Sequence, residues 1–325
     1  MSAEATQTQL TNASLRLAIL LDGLEAGTAD AAALVRIEER VARIYARLPA
    51  NVGSLSKAKL KQVEADIRRT ILAEMERHDK RLLNDLEKAA NGVERVVGRA
   101  FTGIRNDYLI SQGVKKSRLK KSPPAIKGLW AKIKGTPYGD TGELLSTSMK
   151  TFQARVLKQY RDALYGAYAN KRDRFELSAT LDSKHIQRLK HWRNTYVRTA
   201  TRHVASVVQS EVLGKLFDWY GWVSVLDSAT SVICKARNRK RYRYGKGPLP
   251  PAHADCRSTI VPLITGGSQL QVNFISWLRN QPAALQNLLL GNGANKFRDG
   301  QIGTLLLNPR PLTVNQFVEE GVKWL

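Results

Sequence analysis

Apolar positions recur at three- and four-residue steps through most of the first hundred residues, the spacing that lays one apolar stripe along a helix. Leu15, Leu17, Ile19, Leu20 and Leu21 form a first set, which stops at Gly27-Thr28-Ala29-Asp30. Leu34, Ile37, Val41, Ile44, Tyr45 and Leu48 form a second, which stops at Pro49 and Gly53. Ser54 or Ser56 then stands where a helix cap belongs. The stripe resumes through Leu60, Val63, Ile67, Ile71, Met75, Leu82, Leu83 and Leu86, with Glu, Lys and Arg on the outer face. Short breaks between long helices favour antiparallel neighbours. Residues 1–113 are therefore predicted to form a helical hairpin or small bundle, a module for docking on protein.

Residues 114–140 break the pattern. Pro123, Pro124, Gly128, Gly135, Pro137 and Gly139 exclude a continuous helix, so the segment reads as a linker or loop. Helical periodicity returns from Gly142 to about Tyr168 and from Ser183 to Trp219. Beyond it Trp222-Val223-Ser224-Val225-Leu226-Asp227 alternates like a half-buried strand, and Ser258 to Leu263 reads as a second. The predicted class is α+β: a helical N-terminal domain over 1–113, a linker over 114–140, and a mixed domain with a long helix and a small sheet over 141–325.

Charge divides the chain more sharply than hydropathy does. The 52 Lys+Arg and 28 Asp+Glu give a net charge of +24. Residues 1–100 hold 16 basic and 14 acidic residues, and residues 101–325 hold 36 and 14. The later part is thus expected to face a polyanion, whether nucleic acid or an acidic protein surface. Three runs concentrate the charge. Lys115, Lys116, Arg118, Lys120 and Lys121 open the linker, which has no acid until Asp140. Lys184, His185, Arg188, Lys190, His191, Arg193, Arg198, Arg202 and His203 line the long helix, with no acid before Glu211. Arg237, Arg239, Lys240, Arg241 and Arg243 interleave with Tyr242 and Tyr244 in a loop from Lys235 to Lys246, a mixture that suits a nucleic-acid surface. Each run also reads as a solvated segment. No secretory signal or membrane-spanning run is visible. Two cysteines make no disulfide framework, so a soluble protein of a reducing cytoplasm is expected.

Both cysteines and one of the five histidines fall within 23 residues, as Cys234, His253 and Cys256. Thiolate, imidazole and thiolate suit zinc, with Asp227, a water or another donor as fourth ligand. The alternative is two buried thiols and a hydrogen-bonded His that hold two loops together. A Cys-His catalytic dyad is a third reading, without an orienting Asn or Asp in view. No phosphate-binding G-x-x-x-x-G-K-[ST] loop occurs, and His253 lacks the paired His or clustered carboxylates of a metal-dependent nuclease.

The order Trp222, Ser224, Asp227, Thr230, Cys234, Pro250, Pro251, His253, Cys256, Arg257, Pro262 resembles the Mu F-like family of phage minor head proteins. The preceding helix, the tail Trp277-Leu278-Arg279-Asn280-Gln281-Pro282 to Leu290-Gly291, and Arg310-Pro311-Leu312-Thr313 with its following helix are similar too. The likeness covers about residues 185–325. Many members carry C-P-x-C where this chain has Ser231-Val232-Ile233-Cys234, and C-R-C where it has Cys256-Arg257-Ser258. The resemblance implies a structural protein of a tailed-phage head, not an enzyme. It implies action in capsid assembly at the portal and procapsid interior, with portal, major capsid or scaffold proteins as partners, packaged DNA nearby, and neither membrane nor small-molecule substrate. Rival readings are a nuclease or toxin-like effector and a general nucleic-acid-binding protein.

Overall fold

The computed structural model describes residues 1–27, 32–119, 121, 125–139, 142–181, 183–266, 270, 272–300 and 309–325. Helices dominate them, and one three-stranded antiparallel sheet completes the expected α+β class. In chain order the elements are α1 (Ala3–Gly27), α2 (Ala32–Tyr45), α3 (Lys57–Ser111), α4 (Leu129–Gly135), α5 (Leu145–Ala169), α6 (Arg174–Ala179), α7 (Ser183–Leu213), β1 (Trp219–Ser224), α8 (Val232–Arg237), β2 (Arg241–Arg243), β3 (Ser258–Leu263), α9 (Phe274–Arg279), α10 (Ala283–Leu290), α11 (Ala294–Arg298) and α12 (Val314–Trp324). None of the helices searched among the described residues is long and apolar enough to cross a membrane.

The stripes seen in the sequence form these helices. Ile37, Val41 and Tyr45 of α2 are fully buried, and Ile67, Ile71 and Met75 of α3 nearly so. Of the two candidate caps, Ser56 serves α3: its Oγ accepts from Lys59 N at 3.2 Å. At the far end of the chain, Thr313 and Gln316 close a reciprocal capping box on α12.

The chain forms two compact units that cut across the expected linear domains. One comprises Met1–Thr28, Asp85–Leu144 and Arg198–Leu325, the other Ala29–Asn84 and Leu145–Val197. The division falls within α3 and within α7, because the apolar stripe of each long helix serves one unit with its first part and the other with its second. Charge and Pro/Gly content, which marked boundaries near 100 and 114–140, carry no trace of this exchange.

The unit without the sheet is held by α2, α5, α6 and parts of α3 and α7, and it buries charge. Glu74 is fully buried and accepts from Arg36, Arg40 and Arg77 at 3.1, 3.0 and 2.8 Å. Arg193, 1% exposed, donates through Nε to His78 Nε2 at 3.2 Å, and His78 Nδ1 meets Asp79 at 3.1 Å.

The other unit carries the sheet, in the order β2-β1-β3. The strand expected at Trp222–Asp227 starts earlier, at Trp219, and ends at Ser224. As the central strand it is covered on both faces, so Tyr220, Trp222 and Val223 are all buried and strict alternation is lost. The outer edge of β3 is occupied by α1: Gln7 donates to Pro262 O at 3.1 Å and accepts from Ile264 N at 3.0 Å. A side-chain amide thus continues the ladder that an open edge would leave unpaired.

The 114–140 segment is not a solvated linker throughout. It contains α4, which buries Leu129 and Ile133. The carbonyl of Ile133 meets His203 Nε2 at 3.3 Å, the ring of Tyr138 lies 4.8 Å from the His203 ring, and Lys132 pairs with Glu211. Burial holds the His203 imidazole down at about 4, against 6.5 when unfolded. Between those values the unfolded chain binds the extra proton, so stability is lost as pH falls from 6.5 through 4. The expected loss is roughly 3 kcal/mol, and urea melts of wild type and His203→Gln should show it shrinking in the variant.

Candidate metal centre and basic arm

The sheet delivers its motif residues to one end through β1. Trp222, fully buried, donates from Nε1 to Ser224 Oγ at 3.0 Å. That hydroxyl also donates to Cys234 O at 2.9 Å and lies 2.9 Å from Ser258 Oγ on β3. One serine thereby ties the strand to α8 and to its neighbour. The chain then turns through Asp227-Ser228-Ala229-Thr230. Asp227 Oδ1 accepts from Ala229 N at 3.1 Å, and Thr230 Oγ1 accepts from Asp227 N at 3.0 Å. Side chains of this kind close a turn in place of backbone partners. Ser231 next caps α8, accepting from Cys234 N at 3.3 Å. The cap and the hydrogen-bonded turn deliver Cys234 beneath the loop that carries His253 and Cys256.

That second loop is held from α7. Arg198 Nε donates to Asp255 at 2.8 Å, Thr199 Oγ1 accepts from Asp255 N at 3.3 Å, and Arg202 donates to Cys256 O at 2.8 Å while pairing with Asp22. Cys234 and Cys256 are 2% and 1% exposed, and His253 is half-buried. The two sulfurs lie 3.6 Å apart, far beyond a disulfide bond, and both are free thiols. Cys234 Sγ is 3.2 Å from His253 Nε2. Cys256 is held below the usual thiol range, chiefly by the hydrogen bond from Cys234. Cys234 is pushed up, chiefly by making that bond and then by burial.

His253 Nδ1 lies 2.7 Å from Ala254 O. A carbonyl only accepts, so Nδ1 carries the hydrogen and the lone pair of the neutral ring is on Nε2, the atom that faces the thiols. Backbone orientation of this kind is the support a ligating histidine takes. The three ligand atoms lie within 4.8 Å of one another, so Cys234, His253 and Cys256 can hold a metal ion. Beside them is a cavity of about 10 Å³, lined among others by Ser231, Cys234, His253 and Arg257. It admits one water or ion.

Asp227 is not part of this set. Arg257 holds its carboxylate in a two-pronged pair, Nη1 to Oδ2 at 2.8 Å and Nη2 to Oδ1 at 2.5 Å. The role of Asp227 is to close the turn and anchor Arg257, so the expected fourth ligand from the carboxylate is corrected. Sequence reasoning passed over Ser231, although a serine three residues before Cys234 is a capping signal.

The basic loop over 235–246 has more order than expected. Its first residues belong to α8, and β2 pairs with β1 in the register Trp219↔Arg243, Tyr220↔Tyr242, Gly221↔Arg241. Arg239, Lys240, Arg241 and Arg243 are exposed on this arm, with Arg241 also donating to Gly266 O. Arg237 is not: it is half-buried, its guanidinium 5.3 Å over the Trp222 ring. The tyrosines also turn inward, Tyr242 lying 5.6 Å and Tyr244 4.9 Å from the Tyr220 ring. They pack the arm onto the sheet and offer no stacking platform for bases. Gly247 allows the return: a Cβ there would lie 2.4 Å from Tyr220 Oη and from Tyr242 Cβ.

The other two basic runs divide differently. Lys115, Lys116, Arg118 and Lys121 are exposed; Lys120 lies outside the described residues. On α7, His185, Arg193 and His203 are buried, and Arg198 and Arg202 serve Asp255, Asp22 and the loop. The expected cationic face thus narrows to the first part of the helix, where Lys184, Arg188 and His191 are exposed and Lys190 is half-buried. No family model, curated protein or solved structure matches the chain.

Proposed function

We propose that this chain is a minor structural protein of a tailed-bacteriophage head, of the Mu F-like kind, acting in capsid assembly at the portal and procapsid interior. The observation that carries the reading is the convergence of the motif residues. Trp222, Ser224, Asp227, Thr230, Cys234 and Arg257, spread over 36 positions, meet in two adjoining hydrogen-bonded groups: Trp222, Ser224 and Cys234 with Ser258, and Asp227 with Thr230 and Arg257. A resemblance made of unrelated residues would have no reason to converge in this way.

Zinc is the ion this reading places among Cys234, His253 and Cys256. Bond lengths of about 2.3 Å to sulfur and about 2.05 Å to nitrogen put two thiolates about 3.8 Å apart on a tetrahedral ion, and thiolate and imidazole about 3.6 Å apart. The corresponding separations are 3.6 and 3.2 Å. A soft, mixed sulfur and nitrogen donor set fits the same ion. Its role is structural: it ties α8, the base of the basic arm, to the loop before β3. The neighbouring cavity of about 10 Å³ has room for a water or an ion and not for a small organic substrate.

The arm and the exposed run at Lys115, Lys116, Arg118 and Lys121 are the surfaces proposed to meet packaged DNA. With its tyrosines turned inward, the arm is suited to phosphates and not to base edges, as a protein that lines a genome of any sequence requires. Portal, capsid or scaffold protein is the proposed partner of the near-neutral helical part. The test is the content of purified particles: a few copies of the chain per head are expected, and none in tails separated from heads.

A further inference from the structure

We infer that Ser231 Oγ is the fourth donor of the Cys234–His253–Cys256 centre, which makes the site a closed clamp with no open coordination position. The inference rests on the metal reading above and deepens it.

Ser231 Oγ lies 2.7 Å from His253 Nε2, the ring atom whose lone pair faces the centre, and 3.3 Å from Cys234 N. An imidazole nitrogen and a hydroxyl oxygen on one tetrahedral zinc ion lie about 3.4 Å apart. The sulfur–sulfur, sulfur–nitrogen and oxygen–nitrogen pairs are about 0.2, 0.4 and 0.7 Å inside their tetrahedral spacing. Each is a hydrogen-bond distance between donors that an ion would push apart, the hydroxyl and imidazole furthest. Ser231 is also fixed in place: it begins α8 two residues before Ile233 and three before Cys234, so its hydroxyl and the Cys234 thiol move as one unit.

Of the other oxygens around the cavity, Thr230 Oγ1 takes the Asp227 amide and reaches Val225 O, Asp227 is gripped by Arg257, and Asp255 by Arg198. Ser258 Oγ meets Ser224 Oγ and hydrogen-bonds to both thiols, so it supports the sulfurs, whereas Ser231 Oγ lies against the His253 nitrogen. The partners of Ser231 Oγ are a ligand atom and the backbone of a ligand residue. Accepting from Cys234 N uses one lone pair of the hydroxyl and leaves a second for the ion. Structural zinc sites close their fourth position with protein, whereas catalytic sites leave it to water. A serine donor thus distinguishes a clamp from a reaction centre within the same residues.

Cobalt(II) bound to the full-length chain reports both points. Wild type is expected to show intense tetrahedral visible bands together with a near-ultraviolet thiolate band from two sulfurs. Ser231→Cys should raise that thiolate band by about half, as two thiolates become three, and tighten binding at least tenfold. Ser231→Ala should weaken binding about tenfold and dim the visible bands as solvent enters; Ser231→Thr, which keeps both cap and hydroxyl, should restore them. The inference is overturned if Ser231→Cys adds no thiolate intensity while melting as wild type does, or if Ser231→Ala keeps wild-type bands and affinity, which would make the fourth donor a water. A wild-type protein that shows no cobalt–thiolate band at all refutes the metal reading itself, an outcome distinct from the other two.

Discussion

Chelation of bound zinc is expected to lower the melting temperature of the sheet-bearing unit by about 10 °C. At a thousandfold excess over its dissociation constant a bound ion contributes about 4 kcal/mol, and a domain of this size shifts by about 2–4 °C per kcal/mol. The effect should concentrate there because the ion would join two loops that otherwise meet through hydrogen bonds and the Arg257–Asp227 pair. Cys234 rides on a six-residue helix and, among the described residues, enters a small apolar cluster of Trp222, Ala252 and Cys256 with Tyr242 packed against it. Without an ion, two thiols and an imidazole remain within hydrogen-bonding reach of one another, and such bonds contribute about 1 kcal/mol each. Calorimetry of zinc-loaded, chelated and re-loaded protein measures the shift. Cys256→Ser should melt like the chelated form and no longer respond to zinc, while magnesium should rescue neither. Identical melting with and without zinc, and far less than one zinc per chain by elemental analysis, would reduce the centre to a hydrogen-bonded staple.

The second large effect concerns DNA. Replacing Arg239, Lys240, Arg241 and Arg243 together by Gln is expected to weaken binding to duplex DNA roughly 100-fold at 50 mM salt. The slope of log affinity against log salt should fall by up to about 4, since each phosphate contact contributes about 0.9 through released counterions. All four residues are exposed, but Arg241 donates to Gly266 O and the Arg243 guanidinium lies 5.2 Å over the Trp219 ring, so a small drop in melting temperature should accompany the loss of binding. The loss should also be equal on DNA of any sequence, because the tyrosines that would read or stack on bases are packed against Tyr220. Arg237→Gln belongs to a different class: its guanidinium covers the Trp222 ring, so it should lower stability more than DNA affinity. A quadruple variant with the wild-type salt slope would move the DNA surface away from this arm.

Why some of this was legible in the sequence and some was not follows from the range of the interactions involved. Helices announce themselves through spacing, and the stripes through Ile37, Val41 and Tyr45, or Ile67, Ile71 and Met75, are buried as their period predicts. β3 was legible from Ser258 to Leu263 for the same local reason. β1 was displaced by three residues because its alternation is erased where both faces are covered. Val225 to Asp227, which look strand-like, lead into a turn closed by Thr230. β2 is three residues long and owes its existence to the pairing with Trp219, Tyr220 and Gly221, which no local window contains.

The candidate site divides along the same line. Spacing brought Cys234, His253 and Cys256 forward, and the fold does bring them together. Asp227 was misassigned because its partner, Arg257, lies 30 residues away, and a carboxylate beside cysteines looks the same in sequence whether it binds metal or arginine. Arg193, Arg198 and Arg202 of α7 were read as part of a surface for a similar reason. Arg198 and Arg202 find Asp255 and Asp22 only in three dimensions, and Arg193 finds His78. Charge composition counts cations; it does not record which of them the fold has already neutralised.

On the function proposed above, the chain is built into a phage head beside DNA. Quantitative mass spectrometry of particles purified from the producing cells, comparing DNA-filled heads, empty procapsids and detached tails, tests it most directly. A few copies of the chain per procapsid and per filled head, with none in tails, is the expected result. Its absence from all three fractions, while the major capsid protein is abundant, would contradict the claim.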